Sequence, residues 1–185
     1  MLPVFSRQAS PLQRFGVLAV VFYLLWFGGY QHYLATDGRL DAALTHNLAT
    51  AGAAGLRGLG YAATVAGSRD EPLVSLWGRP AVIIRQPCNG LVLYALFSGF
   101  ILAFPGGGRR KWWFIPLGLG LIYGLNIVRI MALCLNSYYA HSSVEFNHHY
   151  TFTLVTYAGI FGLWMWWVTR LAPRLALAPT SYAAA

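Results

Sequence analysis

A thiol, an imidazole and a guanidinium can together carry out acyl transfer, and this chain supplies one of each at Cys88, at His148 or His149, and at Arg129. Imidazole can take the proton of a cysteine and later return it to a leaving amine. A guanidinium can offset the charge on a tetrahedral oxyanion or grip a peptide carbonyl. Cys88 stands between Pro87 and Asn89-Gly90, at the head of an apolar run. A helix start of that kind offers unpaired N–H groups and the positive end of the helix dipole, a setting that favours a thiolate. Gly90 leaves room for a substrate backbone, with Asn89 beside it as a second positioning group. A histidine at headgroup depth is also a common solvated interfacial residue, so the pair gains meaning only beside the other two groups.

Arg129 lies inside an apolar run, 17 residues after Trp112. Even on lenient insertion scales an arginine there costs about 2.5–3.5 kcal/mol, so it ordinarily faces a polar site. Snorkelling to the headgroups is the alternative. Asn126, three residues earlier, falls on the same helical face and favours a polar interior in which it positions substrate. Cys134 falls about 140° round that helix from Arg129, which makes it a packing residue. A Cys88–Cys134 disulfide is the competing arrangement for an oxidising exterior. We expect neither a metal nor a cofactor.

These groups are separated by 41 and then 19 residues, so apolar elements must bring them to one depth. Of the 185 residues, 57% are hydrophobic and 10% charged, and mean hydropathy is +0.53. That composition points to an integral membrane protein. The net charge of +8 is read as a topology signal rather than a nucleic-acid footprint, because most cations flank apolar runs. Two cysteines are too few for a disulfide framework.

Apolar runs begin at Phe15, Asn89, Trp112 and Tyr150. Each approaches the length needed for about 30 Å of hydrocarbon. Basic clusters at 7–14, 109–111 and 170–174 then place both termini in the cytoplasm, with 35–87 and 140–147 outside. No small-x-small cleavage site follows the first run, which reads as an uncleaved anchor. The expected fold is all-α, a polytopic bundle of about four transmembrane helices with an extracytoplasmic helix and hairpin segment. Its parts are an anchor at 1–34, the outer segment at 35–87, a three-helix catalytic core at 88–170 and a cytoplasmic tail at 171–185. Within 35–87, the Ala/Gly-rich stretch 42–66 either lies at the interface or forms a pair of marginal spans. Asp37 or Asp41 is placed to cap a helix there. "LVSLWGRPAVIIR" predicts two strands about Gly78-Arg79-Pro80.

Taken in order, "CNG" at 88–90, "NIVR" at 126–129 and "NHH" at 147–149 resemble the exosortase/archaeosortase family, especially its short Bacteroidetes-type variants. The resemblance covers roughly residues 80–170. It implies a membrane cysteine peptidase or transpeptidase of the bacterial inner membrane. The implied substrates are exported proteins that end in a sorting motif, a transmembrane helix and a basic tail. By the same resemblance Cys88 is the nucleophile, Arg129 the electrostatic stabiliser and His148 the acid/base. The family pattern carries one histidine where this chain has two, so His149 is the second choice. Rival readings are a non-enzymatic export or assembly factor whose Arg129 binds lipid headgroups, and an enzyme acting on lipid-linked groups.

Overall fold

The computed structural model describes residues 11–30, 32, 37–85 and 88–172, with only the backbone of Pro11, Leu12 and His149. Arg7, Pro87, Arg174 and most of the expected tail lie outside the described residues.

Helix α1 (Pro11–Gly29) is apolar almost throughout, and its Val17, Leu24, Leu25 and Phe27 are exposed. Its inner side meets α3 (Leu91–Ala103) through Phe15, whose ring stands edge-on 5.6 Å from Phe100. Helix α4 (Arg110–Tyr139) follows the Gly106–Arg109 turn. Its 30 residues reach about 45 Å. Helix α5 (Phe152–Trp166) continues into a π-helical turn over Trp167–Leu171. Arg110–Tyr139 and Phe152–Leu171 are long and apolar enough to cross a membrane; the apolar stretches Gln13–Gly29 and Leu91–Ala103 are shorter. Phe97, Ile101, Phe114, Ile122, Ile160 and Trp167 interlock as the core of α3, the first half of α4, and α5. Gly118 permits this close approach, since a Cβ there would come within 2.1 Å of the Phe97 ring.

The second half of α4 carries a different core. Helix α2 (Arg39–Gly58) buries Asp41, Thr45, Leu48, Ala49, Gly52, Ala53 and Leu56, a single stripe at helical period. This stripe packs on Ile130 and Cys134. Gly52 sets the distance, because a Cβ there would lie 2.9 Å from Ile130 Cγ2. The Ala/Gly-rich segment is thus a packing helix. It is not among the helices apolar enough to cross a membrane. Its N-cap is Gly38 in the left-handed region, with no side-chain cap, in place of the expected Asp37 or Asp41.

The expected all-α fold needs correction: the molecule is mostly helical but holds a three-stranded antiparallel sheet. Strands β1 (Ala63–Gly67), β2 (Pro72–Leu76) and β3 (Arg79–Ile83) form a simple meander. The β2–β3 hairpin turns at Trp77-Gly78, one residue before the predicted centre, with positive φ at both residues (46° and 74°). That pairing of angles is the type I′ geometry that matches strand twist. The strain of a non-glycine residue there is offset by ring contacts of Trp77 with Tyr61 and Tyr138, each at 5.2 Å. Pro80 is tolerated because β3 is an edge strand and its pairing is irregular beside that residue.

Candidate active site

The two cores meet along α4 near Asn126 and Arg129, and the Cys88 turn sits against that junction. Cys88 N–H donates to the Arg85 carbonyl (2.9 Å), which ties Cys88 to the end of the sheet segment before α3. Asn89 is buried, and its Oδ1 accepts the Leu91 N–H at 3.0 Å, one of the orphan donors of the helix start. Gly90 then takes φ 79°, the left-handed conformation that glycine adopts without a Cβ clash. A side chain there is excluded twice, because a Cβ would fall 2.3 Å from Asn126 Nδ2.

Cys88 Sγ lies 3.5 Å from His148 Nε2, and Arg129 Nη2 lies 3.9 Å from the same sulfur. Residues from three remote stretches of sequence therefore converge on one atom. His148 is carried by a π-helical turn, Asn147–Thr151, immediately before α5. That turn is tied back to the end of α4 through Ser143, whose hydroxyl accepts from Asn147 Nδ2 at 3.5 Å. The Ser143 hydroxyl lies 2.9 Å from both Asn136 Oδ1 and the Ala140 carbonyl, and Thr151 donates to Asn147 Oδ1 at 2.9 Å. The Thr153 hydroxyl holds the His148 carbonyl at 3.2 Å.

A cleft of about 580 Å³ opens over the sulfur, within the size range of ligand sites. Cys88, Asn89, Gly90, Arg129 and His148 line it, together with Tyr30 and the hydroxyl-bearing Thr153, Thr156 and Tyr157 of α5. Asn126 does not line it. The side chain is buried behind Gly90, and neither of its amide atoms has a hydrogen-bond partner among the described residues. The Tyr94 hydroxyl faces Asn126 without reaching hydrogen-bond geometry. Arg129 Nε is likewise buried and unpaired, so the guanidinium keeps donor capacity beyond the sulfur contact. Cys134 is fully buried in the α2–α4 core, and both cysteines are free thiols. The expected packing role describes Cys134, and the disulfide alternative does not. Among the described residues no group of three or more His, Cys, Asp or Glu side chains is arranged to hold a metal.

Sequence reasoning read Asp41 only as a candidate helix cap and passed over Tyr30. Asp41 is buried at 1% exposure, accepts from Asn89 Nδ2, and accepts from the Tyr30 hydroxyl at 3.0 Å. Its signal was present: an acid in register with Thr45, Leu48 and Gly52 on an otherwise apolar stripe.

Comparison with protein-family models, curated proteins and solved structures returns no match.

Proposed function

We propose that the chain is a membrane-embedded cysteine peptidase or transpeptidase that cleaves C-terminal sorting signals of exported proteins. The observation that supports this reading best is the convergence of His148 Nε2 and Arg129 Nη2 on Cys88 Sγ inside a cleft of peptide size. The resemblance of the three motifs to exosortases supplies the substrate class.

The chemistry follows from the contacts. His148 Nε2 takes the thiol proton, and the sulfur attacks the scissile carbonyl to form a C–S bond. The carbonyl electron pair moves onto oxygen, where the spare donors of Arg129 offset the charge. The C–N bond then breaks, and His148 returns the proton to the leaving amine. Water or an acceptor amine resolves the thioester, which gives hydrolysis or transfer. The reaction calls for no cofactor.

In this reading α1, α3, α4 and α5 all traverse the cytoplasmic membrane of a bacterium. The exposed apolar faces of α1 and of α5 (Leu154, Val155, Phe161) meet lipid. Both termini lie inside, and the site faces out, where a protein tethered by its C-terminal helix can reach the sulfur in the membrane plane.

The deciding experiment compares membrane fractions of cells carrying the wild-type chain or Cys88→Ala, and reads the C-terminal masses of exported proteins. Retention of a C-terminal helix and basic tail in the variant alone supports the peptidase. Unchanged masses with normal export oppose it, and unchanged masses with export lost in Arg129→Ala favour the lipid-binding assembly factor. Topology is tested separately with an impermeant thiol reagent in a Cys88→Ala background. Ser143→Cys should be labelled and Gly108→Cys should not; the reverse pattern overturns the orientation.

A further inference from the structure

Asp41 is placed where a carboxylate is expensive. It is buried, and no Lys or Arg among the described residues pairs with it; the ion pairs join Arg39 to Asp37 and Arg85 to Glu71. Removing a carboxylate from water costs several kcal/mol unless hydrogen bonds repay it. A position in the first turn of α2 gains about 0.3–1 kcal/mol from the helix dipole. That gain needs no burial, and exposed Asp37 already stands at the same helix end. Helix support therefore does not account for Asp41.

Its two hydrogen bonds do. Both oxygens act as acceptors, one for Asn89 Nδ2 and the other for the Tyr30 hydroxyl at 3.0 Å. An ionised carboxylate can only accept, so it selects one of the two flips of the Asn89 amide. With the NH₂ end held by Asp41, the Asn89 oxygen must face the Leu91 N–H, where it is found at 3.0 Å. The residue before Asn89 is Cys88. Tyr30, on the other oxygen, forms part of the cleft wall with Cys88, Arg129 and His148.

We propose that Asp41 is a positioning residue. It orients the Asn89 amide, and through it the Cys88–Gly90 turn, so that the sulfur is held between His148 and Arg129, while it fixes the Tyr30 phenol on the wall of the same cleft. This deepens the peptidase reading and rests on it for the purpose of the positioning. The geometry itself is tested without any substrate.

The test is the rate at which iodoacetamide alkylates Cys88 in native membranes, read from the mass of the Cys88 peptide so that buried Cys134 does not contribute. Asp41→Asn keeps the size of the side chain but replaces one acceptor oxygen with a donor, so it can no longer accept from both Asn89 Nδ2 and the Tyr30 hydroxyl. Alkylation should slow by about tenfold, the scale of one hydrogen bond to a charged group. The exchange Asp41→Asn with Asn89→Asp restores the bond between the two residues with its polarity reversed, and leaves the Leu91 N–H and Tyr30 hydroxyl as donors. The amide on α2 then donates to the carboxylate in the turn, whose other oxygen still accepts from Leu91. Alkylation should return to within about threefold of wild type on the same scale. Wild-type alkylation in Asp41→Asn at equal abundance overturns the proposal, as does an exchanged protein that accumulates but stays slow. If Asp41→Asn alone does not accumulate, the exchanged protein decides by the same criterion. Failure of both to accumulate also overturns it, since Asp41 is then a folding residue. Should these rates behave as expected while exported proteins remain unprocessed, the peptidase reading falls and the positioning role stands.

Discussion

The two halves of α4 are packed in opposite styles. Its first half is locked among aromatic rings, with Phe114 4.9 Å from Trp167 and 5.9 Å from Phe97. Its second half lies against small residues, Ala49, Gly52 and Ala53 of α2, and against a short sheet. The first region turns apolar side chains outward, as a surface in lipid does. The second turns polar and charged groups outward, including Arg39, Asp37, Arg85 and Glu71. In the proposed membrane setting one helix serves two solvents, and Cys88, Arg129 and His148 sit where they change over. A half-buried guanidinium and a buried amide are tolerable there, because both an apolar wall and a polar cap are within reach.

The largest effects should follow from the contrast between the two thiols. Cys88→Ala should abolish processing of exported proteins, whereas Cys134→Ala should leave it intact and cost about 1 kcal/mol of stability as a small core deletion. Equal loss of processing in both would merge junction and cap into one functional unit. Arg129→Lys comes next. Lysine keeps the charge but not the planar fork, and loss of one oxyanion donor costs about 10²–10³ in turnover. Full turnover at matched abundance would make Arg129 a snorkelling residue of the bundle.

Gly90→Ala must adopt a left-handed backbone and displace Asn126, a strain of about 1–3 kcal/mol. Pairing it with Asn126→Ala should relieve the overlap and leave only the backbone penalty, measured by thermal unfolding in detergent. Gly52→Ala and Gly118→Ala probe the two cores separately. Each should cost about 1–3 kcal/mol by overpacking. Amide exchange should rise in α2 and the sheet for the first, and in α3 and α5 for the second. A rise everywhere in both would show that the halves unfold as one. The smallest effect belongs to Glu71→Gln, which removes an exposed partner of Arg85 and should change stability by less than about 1 kcal/mol.

The sequence made the long apolar elements legible because composition alone defines them: the runs from Asn89, Trp112 and Tyr150 reappear as α3, α4 and α5. The sheet was half legible. Val- and Ile-rich β2 and β3 announce themselves, but "ATVAG" hides β1 in an Ala/Gly stretch that also suits a helix. The turn was displaced by one residue because Trp77 takes a conformation its type disfavours, held by rings from distant Tyr61 and Tyr138. At the site, residue types pointed to Cys88, Arg129 and His148, while second partners stayed hidden. Asn126 reads as a substrate contact when only its helical face is known, and it lies behind Gly90 once α3 is docked. Asp41 reads as a cap until α2 is seen to turn it inward.

The sharing of α4 has a consequence for biogenesis. Helix α2 and the sheet occupy residues 39–83, but the wall that completes their core, Ile130 to Tyr138, is synthesised some 50 residues later. At about 5–20 residues per second, the ribosome leaves Leu48, Leu56, Val74 and Leu76 without their final neighbour for several seconds. During that interval the apolar stripe of α2 and the inner face of the sheet lack the wall that buries them in the finished fold. The C-terminal half of α4, and not the segment made first, sets when this core can close.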